Sequence, residues 1–249
     1  MSCMDQYPGR PIGARHLFLD RRDAGAILAE WLAPHEGGGA LVLGIPRGGV
    51  IVAAEVAARL EADLDILVAR KLPAPRQPEL AIGAVTASGG RWLNGGLIRQ
   101  LGVPKTYVDA VTAREMDEAR RREERYRAGR PAADPKNRTV LLVDDGLATG
   151  ATMRAAVQSV LQHDPARVVA AVPVGTREAC GALLGEADDV VCPYLPEPFH
   201  AVGQFYITFE QLQDADVETA LAEFHAGRWL ARSPRGARHR TTMEQAPHP

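Results

Sequence analysis

The chain has 249 residues, of which 46% are hydrophobic, and its formal net charge is −2. This length and apolar content allow a full α/β core, and the near-neutral charge argues against a general nucleic-acid or membrane binder. Cys3, Cys180 and Cys192 have neither metal-ligand nor C-x-x-C spacing, so we expect reduced thiols in a cytoplasmic protein. No apolar run reaches the length of a membrane span, and the N-terminus lacks the hydrophobic core of a signal peptide, so we expect neither.

Predicted strands and helices alternate along most of the chain. Residues 1–15 are rich in Pro and Gly and predict a flexible arm, and Asp20 is placed to cap a helix that ends near Leu32. The apolar patterns that follow predict strands near 40–45, 64–70, 80–87, 139–143, 167–172 and 189–192, with helices at 50–60 and after the strands at 139–143 and 167–172. This rhythm predicts an α/β domain over residues 16–228, with a Rossmann-like, mostly parallel sheet flanked by helices, and a polar, disordered tail at 229–249.

The turn after the first predicted strand has the composition of an anion site. It reads Pro46-Arg47-Gly48-Gly49 and is followed by an alanine-rich helix. The two glycines allow the backbone to approach an anion closely, and the guanidinium of Arg47 suits phosphate oxygens. The strand predicted at 64–70 ends in Arg70-Lys71, which adds positive charge at the same edge of the sheet. Taken alone, each segment could also be an ordinary solvated turn.

An insertion of about residues 72–136 interrupts the series. The prolines between Leu72 and Leu80 predict a stiff, non-helical link. Residues 81–93 predict a β-ribbon with its turn at Ser88-Gly89-Gly90. Residues 104–126 predict a long helix, whose Arg and Glu residues are most simply a solvated face with paired charges.

The segment from Val140 to Met153 is the most informative part of the sequence. Four apolar residues predict a buried strand, and Asp144 and Asp145 follow at its end, where open α/β sheets bind ligands. The next residues, up to Thr152, are mostly small or hydroxylated and lead into a helix whose N-terminal amides favour a phosphate. Carboxylates beside a phosphate cradle indicate a sugar phosphate whose hydroxyls meet the acids. The segment is neither a Walker loop nor a G-x-G-x-x-G dinucleotide motif.

The run from Asp144 to Thr152 resembles the phosphoribosyl-pyrophosphate signature of the type I phosphoribosyltransferases, and Pro46-Arg47-Gly48-Gly49 resembles their pyrophosphate loop. The resemblance covers about residues 17–225. It implies the fold of that family and transfer of phosphoribose to a nitrogenous acceptor in nucleotide metabolism, with release of pyrophosphate. It also implies site residues: Asp144 and Asp145 as catalytic residues on the ribose hydroxyls; Gly146, Ala148, Thr149, Gly150, Ala151 and Thr152 on the 5-phosphate; and Arg47, Gly48, Gly49, Arg70 and Lys71 on the pyrophosphate.

The segment at about 193–212 is similar to the hood of 6-oxopurine phosphoribosyltransferases. The similarity implies that Phe199 stacks on the acceptor and that Ala201 and Val202 supply backbone contacts, although Phe199 could equally be a core residue. His200 is expected at the surface. Two departures leave the acceptor open: Ala148 stands where hypoxanthine-guanine enzymes have an Asp, and residues 175–189 contain no Lys.

By the same resemblance the cofactor is Mg²⁺, held mainly by substrate oxygens and water, with Asp144 and Asp145 as the candidate side-chain ligands. The implied partner is the small molecule phosphoribosyl pyrophosphate, without nucleic acid or membrane, and a homodimer follows by analogy only. One alternative is a sensor that binds phosphoribosyl pyrophosphate without turnover. A phosphoribosyl-pyrophosphate synthetase fits less well because the signature occurs once. A phosphoaspartate receiver or a phosphatase would not explain the Pro46–Gly49 turn.

Overall fold

The computed structural model describes residues 17–35 and 39–230. Its strands in chain order are β1 (Leu41–Gly44), β2 (Asp63–Ile66), β3 (Ala69–Ala74), β4 (Gln77–Thr86), β5 (Arg91–Leu93), β6 (Thr139–Val143), β7 (Arg167–Ala171) and β8 (Asp189–Val191). Its α-helices are α1 (Arg21–Leu32), α2 (Gly48–Arg59), α3 (Gly95–Gln100), α4 (Lys105–Arg127), α5 (Ala151–Leu161), α6 (Arg177–Leu183) and α7 (Asp214–His225).

The central sheet has five parallel strands in the order β2-β1-β6-β7-β8. Because both faces are covered, its strands are almost continuously apolar. Helices α1, α2 and α7 pack on the face that carries Val42 and Leu141, and α5 and α6 pack on the face that carries Leu43 and Leu142. The predicted Rossmann-like, mostly parallel sheet flanked by helices is therefore confirmed.

A second sheet is antiparallel and has the order β3-β4-β5. The strand predicted at 64–70 is wrong at its end, since β2 stops at Ile66 and Arg70 and Lys71 belong to β3. The strand predicted at 80–87 exists as part of β4, but it lies in this second sheet and not in the parallel one. Apolar runs in the two sheets look alike in sequence, and only the pairing separates them.

The residues at 72–80 are not the predicted stiff link. They form the end of β3 and the start of β4, and the register of this pair shifts on either side of Pro73. A proline cannot donate to the ladder, so a strand accommodates it where the ladder is irregular. The ribbon predicted over 81–93 is confirmed as β4 and β5, and Thr86 closes its turn through backbone hydrogen bonds with Gly89 and Gly90.

The helix predicted at 104–126 is confirmed as α4. The insertion has its own small core, which includes Leu72, Ile82 and Val108. Helix α3 was not predicted; it is short and is capped by Asn94, whose side chain accepts a hydrogen bond from the N–H of Leu97 at 3.0 Å. Few residues separate β5 from α4, so an apolar pattern was too short to reveal it.

Capping and burial mark the two ends of the described domain. At the start of α1, Asp20 accepts a hydrogen bond from the N–H of Asp23 at 2.9 Å, as predicted. At the C-terminal end, Trp229 is 3% exposed, and its Nε1 donates to Oε2 of the buried Glu55 at 3.0 Å. Trp229 therefore belongs to the packed domain, one residue beyond the predicted boundary. The arm predicted at 1–15, Cys3 and the rest of the predicted tail from 231 onward lie outside the described residues.

In the part of the chain that the structure describes, no helix combines the length and the apolar character needed to cross a membrane.

Candidate functional site

Strands β1 and β6 are neighbours in the parallel sheet, so the two sequence motifs that follow them meet at its carboxyl edge. Gly44 pairs with Val143, and the N–H of Ile45 donates to the carbonyl of Val143 at 2.8 Å. A methyl group on Gly49 would lie 2.9 Å from Oδ1 of Asp144, which leaves no room for a side chain. The topology thus places the turn at residues 46–49 directly beside the acidic pair.

The carboxylates of Asp144 and Asp145 are largely buried at this edge and each has one oxygen engaged. Oδ1 of Asp144 accepts a hydrogen bond from the N–H of Asp145 at 2.8 Å, and Oδ2 of Asp145 accepts one from Nε of Arg21 at 2.7 Å. No other described residue donates a side-chain hydrogen bond to Oδ2 of Asp144 or Oδ1 of Asp145. The pair therefore presents two carboxylate oxygens that a ligand could occupy.

Burial raises the pKa of Asp144 well above its ordinary value, and repulsion from Asp145 raises it further. The hydrogen bond from the N–H of Asp145 and the charges of Arg21 and Lys71 lower the pKa of Asp144. Burial also raises the pKa of Asp145, although Arg21 opposes that shift. Two buried carboxylates with too few donors favour a ligand that brings hydroxyl groups or positive charge.

Arg21 was not predicted as a site residue. Its guanidinium lies over the ring of Phe209, 3.8 Å from the ring centroid, and its Nη1 donates to the carbonyl of Glu210 at 3.0 Å. One signal in the sequence was available. A basic residue such as Arg21 in the first turn of a helix interacts unfavourably with the helix dipole, which indicates that an anion lies nearby. That anion is Asp145.

The loop after the acidic pair leads into α5 at Gly150, which has a φ of +76° and provides no side-chain cap. The first amides of α5 are therefore not satisfied by a capping side chain, which is the usual state of an anion site at a helix N-terminus. The loop is held from behind, because Oγ1 of Thr176 donates to the carbonyl of Ala148 at 3.0 Å. Ala148 and Thr149 are exposed toward a cavity.

This cavity has a volume of 540 Å³ and separates the loop from the antiparallel sheet. Its wall includes Ala148, Thr149, Lys71, Trp92 and Asn94. On the α5 side it ends at Arg154, which forms an ion pair with Glu186 and lies over the ring of Trp92, 4.5 Å from the centroid. The phosphate-type loop therefore opens into a space large enough for a small anionic ligand.

The residues predicted for pyrophosphate divide into two groups. Arg47, Gly48 and Gly49 lie at the turn beside the acidic pair, and among the described residues Arg47 has no ion-pair partner. The pKa of Asp214 on α7 is lowered first by the hydrogen bond from Tyr126, and the charge of Arg47 makes a smaller contribution in the same direction. Lys71 is exposed and lines the cavity. Arg70 does not join them, because its guanidinium is bound to the buried carboxylate of Glu115, with Nε–Oε2 and Nη2–Oε2 distances of 2.7 and 2.6 Å.

The segment predicted as a hood lies against the acidic loop. A methyl group on Gly146 would overlap the side chain of Val202, so the two chain segments are in direct contact. The hydroxyl of Tyr206 donates to the carbonyl of Asp145 at 2.6 Å. Phe199 is partly buried and packs on Phe205, with 4.9 Å between the ring centroids.

Gln204 already engages part of this segment. Its Oε1 accepts from the N–H groups of His200 and Ala201 at 2.9 and 3.2 Å, and its Nε2 donates to the carbonyl of Pro198 at 2.8 Å. The sequence predicted backbone contacts to an acceptor at Ala201, and of its backbone groups the N–H is engaged by Gln204 in this structure. His200 is exposed, as predicted.

Cys180 and Cys192 are free thiols that approach each other, and a methyl group on Gly175 would lie 2.9 and 3.2 Å from their sulfurs. Among the described residues, no group of three or more His, Cys, Asp or Glu side chains is arranged to hold a metal ion. The open oxygens of Asp144 and Asp145 are hard ligands of the kind that Mg²⁺ prefers. These residues fit Mg²⁺ as two of its ligands, and a bound ligand would have to supply further oxygens.

Comparison with known proteins identifies the class. Residues 84–209, about half of the chain, match the family model described as phosphoribosyl transferase domain. The chain belongs to this family. The resemblance seen in the motifs is thereby confirmed.

Two curated relatives and one solved structure are similar over most of the chain. The relatives, from two strains of Mycobacterium tuberculosis, are each 46% identical over 209 residues, which is 84% of this chain and 47% of theirs. Both carry a provisional name as phosphoribosyl transferases, and this chain spans about half of their length. The crystal structure of TT1426 from Thermus thermophilus is 48% identical, with a TM-score of 0.72 over 83% of this chain and 98% of that one.

Proposed function

We propose that the protein uses 5-phosphoribosyl 1-pyrophosphate and Mg²⁺ to transfer phosphoribose to a nitrogenous acceptor and releases pyrophosphate. One observation carries the proposal: an acidic pair with two open oxygens lies between a glycine turn, whose arginine has no ion-pair partner among the described residues, and a helix N-terminus without a capping side chain. These features match the three parts of the ligand, which are the ribose hydroxyls, the pyrophosphate and the 5-phosphate.

In this proposal Asp144 and Asp145 accept hydrogen bonds from the ribose hydroxyls. The loop at residues 146–152 and the first amides of α5 hold the 5-phosphate. The backbone at Gly48 and Gly49, with the charges of Arg47 and Lys71, faces the pyrophosphate. In this arrangement each part of the ligand meets protein donors or acceptors that have no other partner in the described part of the chain.

The bond between C1 of the ribose and the pyrophosphate oxygen breaks, and its electron pair leaves with the pyrophosphate. A nitrogen of the acceptor forms the new bond to C1 and gives up its proton to solvent or to the leaving group. Positive charge develops on the ring beside the two carboxylates, and negative charge develops beside Arg47 and Lys71, so the fixed charges favour the transition state. When bound, Mg²⁺ supplies further positive charge to the pyrophosphate oxygens.

The acceptor is proposed to bind between the hood and the ribose site, against Phe199 and Val202. Since the N–H of Ala201 is held by Gln204, that amide contributes to acceptor binding only if Gln204 moves. No charged side chain occupies position 148, so the chain offers the acceptor no carboxylate there. We therefore propose an acceptor whose nitrogen is nucleophilic without a base from this loop.

The first experiment measures pyrophosphate release from phosphoribosyl pyrophosphate and Mg²⁺ against purines, pyrimidines and small amines. The wild type is compared with Asp144→Asn, Asp145→Asn and the control Asp109→Asn, which alters a carboxylate paired with Lys105 at the surface. Release that requires an acceptor and is lost in the first two variants alone supports the proposal. Calorimetry measures binding of phosphoribosyl pyrophosphate by the same proteins. If the wild type does not bind it, or if the two site variants bind it as the wild type does, the proposal is refuted.

A second candidate is a sensor that binds the sugar phosphate without turnover. The occupied amide of Ala201 and the missing carboxylate at position 148 favour it, because both reduce what the chain offers to an acceptor. Tight binding in calorimetry with no pyrophosphate release for any acceptor would support the sensor over the transferase.

A further inference from the structure

Arg21 is the first residue of α1, yet its side chain reaches the acidic pair and is only 11% exposed. Its Nε donates to Oδ2 of Asp145 at 2.7 Å. A buried charge in the first turn of a helix is costly unless an anion compensates it. The ion pair with Asp145 provides that compensation.

Two contacts with residues other than Asp145 also hold the guanidinium of Arg21 in place. It lies over the ring of Phe209, 3.8 Å from the ring centroid, and Nη1 donates to the carbonyl of Glu210 at 3.0 Å. The contact with the aromatic ring and the directed hydrogen bond restrict the position of the guanidinium in addition to its ion pair. Arg21 therefore reaches Asp145 as a rigid donor with a set direction.

The turn after β1 lies against the same oxygen of Asp145 that Arg21 engages. A methyl group on Gly48 would overlap Oδ2 of Asp145 and would lie 2.7 Å from Nε of Arg21. Oδ2 of Asp145 is thus enclosed by both Arg21 and Gly48, and Oδ1 is the oxygen that has no side-chain donor among the described residues.

We infer that Arg21 is the positioning residue for ribose recognition: by engaging Oδ2 it directs Oδ1 of Asp145 toward a ribose hydroxyl. This inference rests on the proposed function. It assigns the two carboxylates one open oxygen each, which equals the number of vicinal hydroxyls on the ribose. It also makes the segment at Phe209 and Glu210 part of the support for the sugar site.

The test compares wild type, Arg21→Gln, Arg21→Lys and the control Arg22→Gln. Arg22 is the adjacent residue of α1 and lies over Trp229 at 3.8 Å from the ring centroid. Calorimetry measures binding of ribose 5-phosphate, 2,3-dideoxyribose 5-phosphate and inorganic pyrophosphate. The ratio of the first two affinities isolates the contribution of the hydroxyls from the rest of the site.

For Arg21→Gln we expect this ratio to fall about tenfold, the size of one charge-assisted hydrogen bond. The affinities for the dideoxy sugar and for pyrophosphate should change less than about twofold, the Lys variant should recover part of the ratio, and Arg22→Gln should keep the wild-type ratio.

Three outcomes overturn the inference. An unchanged ratio, or an equal loss of affinity for both sugars, makes Arg21 a structural residue only. Tighter binding of ribose 5-phosphate by Arg21→Gln means that Arg21 competes with the ligand for Asp145. If the wild type itself does not distinguish the two sugars, the proposed function fails together with the inference, which separates that case from the others.

Discussion

Gly48 and Asp145, nearly a hundred residues apart in sequence, touch so closely that any side chain at position 48 would overlap the carboxylate. The turn after β1 is therefore in direct contact with the acidic pair after β6. The same point includes Nε of Arg21, 2.7 Å from where a methyl group on Gly48 would lie. Position 48 requires glycine because a side chain would overlap Asp145, and not because the backbone there adopts a left-handed conformation.

Gly48→Ala should displace Asp145 from Arg21 and weaken binding of phosphoribosyl pyrophosphate by at least about tenfold, because one charge-assisted hydrogen bond is lost. The matched control is Gly181→Ala, since a methyl group there has no neighbour within 4 Å. That position lies inside α6, where alanine is the better helix former, so the control should be neutral or more stable by roughly 0.5–1 kcal/mol. Calorimetry and urea unfolding on both variants check the prediction; equal binding by the two would contradict it.

Arg70 and Lys71 are adjacent in sequence but should behave differently when each is changed to Gln. Arg70→Gln leaves the buried carboxylate of Glu115 short of a donor and should lower the free energy of unfolding by roughly 1–3 kcal/mol. Lys71→Gln removes an exposed charge that lines the cavity, so it should preserve stability and weaken binding of Mg²⁺-pyrophosphate a few-fold, most at low salt. Urea unfolding and calorimetry distinguish the two effects, and the reverse pattern would show that the assignment is wrong.

Trp229→Ala should destabilise the domain by about 3–5 kcal/mol, as truncation of a buried Trp usually does. The change also removes the donor to Oε2 of Glu55, which is 1% exposed, and leaves Arg59 as the donor to Oε1. Trp229→Phe retains most of the packing but not the donor, so its loss should be smaller and should report mainly the hydrogen bond. A wild-type urea midpoint in Trp229→Ala would place this residue outside the packed domain.

Tyr126 makes the free energy of unfolding depend on pH in the alkaline range. Burial, together with the hydrogen bond to Asp214, raises the pKa of Tyr126 to about 12. Between its ordinary pKa of about 10 and that value, the unfolded chain loses the phenol proton while the folded protein keeps it, so the free energy of unfolding falls as the pH rises. Tyr126→Phe should be less stable at pH 7 by roughly 1–2 kcal/mol and should lose less stability over that alkaline range. Urea unfolding at about pH 9 and pH 11, on either side of the ordinary pKa, measures both effects. Parallel pH profiles of the two proteins would contradict the prediction.

The parallel sheet was predictable because its strands are unbroken apolar runs and its helices follow them directly. The antiparallel sheet was not, since pairing partners rather than periodicity separate β4 from a strand of the main sheet. Pro73 was misleading for a related reason: a proline argues against a strand, but the irregular register at β3 and β4 accommodates it.

The acidic pair and the glycine turn could be placed at one sheet edge because each follows a buried strand, and their binding of a ligand stays a prediction. Arg21 was missed because a single arginine in an arginine-rich chain is not distinctive, and its partner lies 124 residues away. Arg70 was misplaced because a sequence shows that a cation is present at a strand end but not that Glu115 already neutralises it.

Val202, in the segment predicted as a hood, directly contacts Gly146, in the loop at residues 146–152. If the two substrates bind as proposed, the same pair of residues borders both, and their binding equilibria are linked. An acceptor that shifts Val202 changes the affinity for phosphoribosyl pyrophosphate by some factor, and phosphoribosyl pyrophosphate then changes the affinity for that acceptor by the same factor. This coupling is the same whichever substrate binds first, and a larger side chain at position 146 would alter both affinities together.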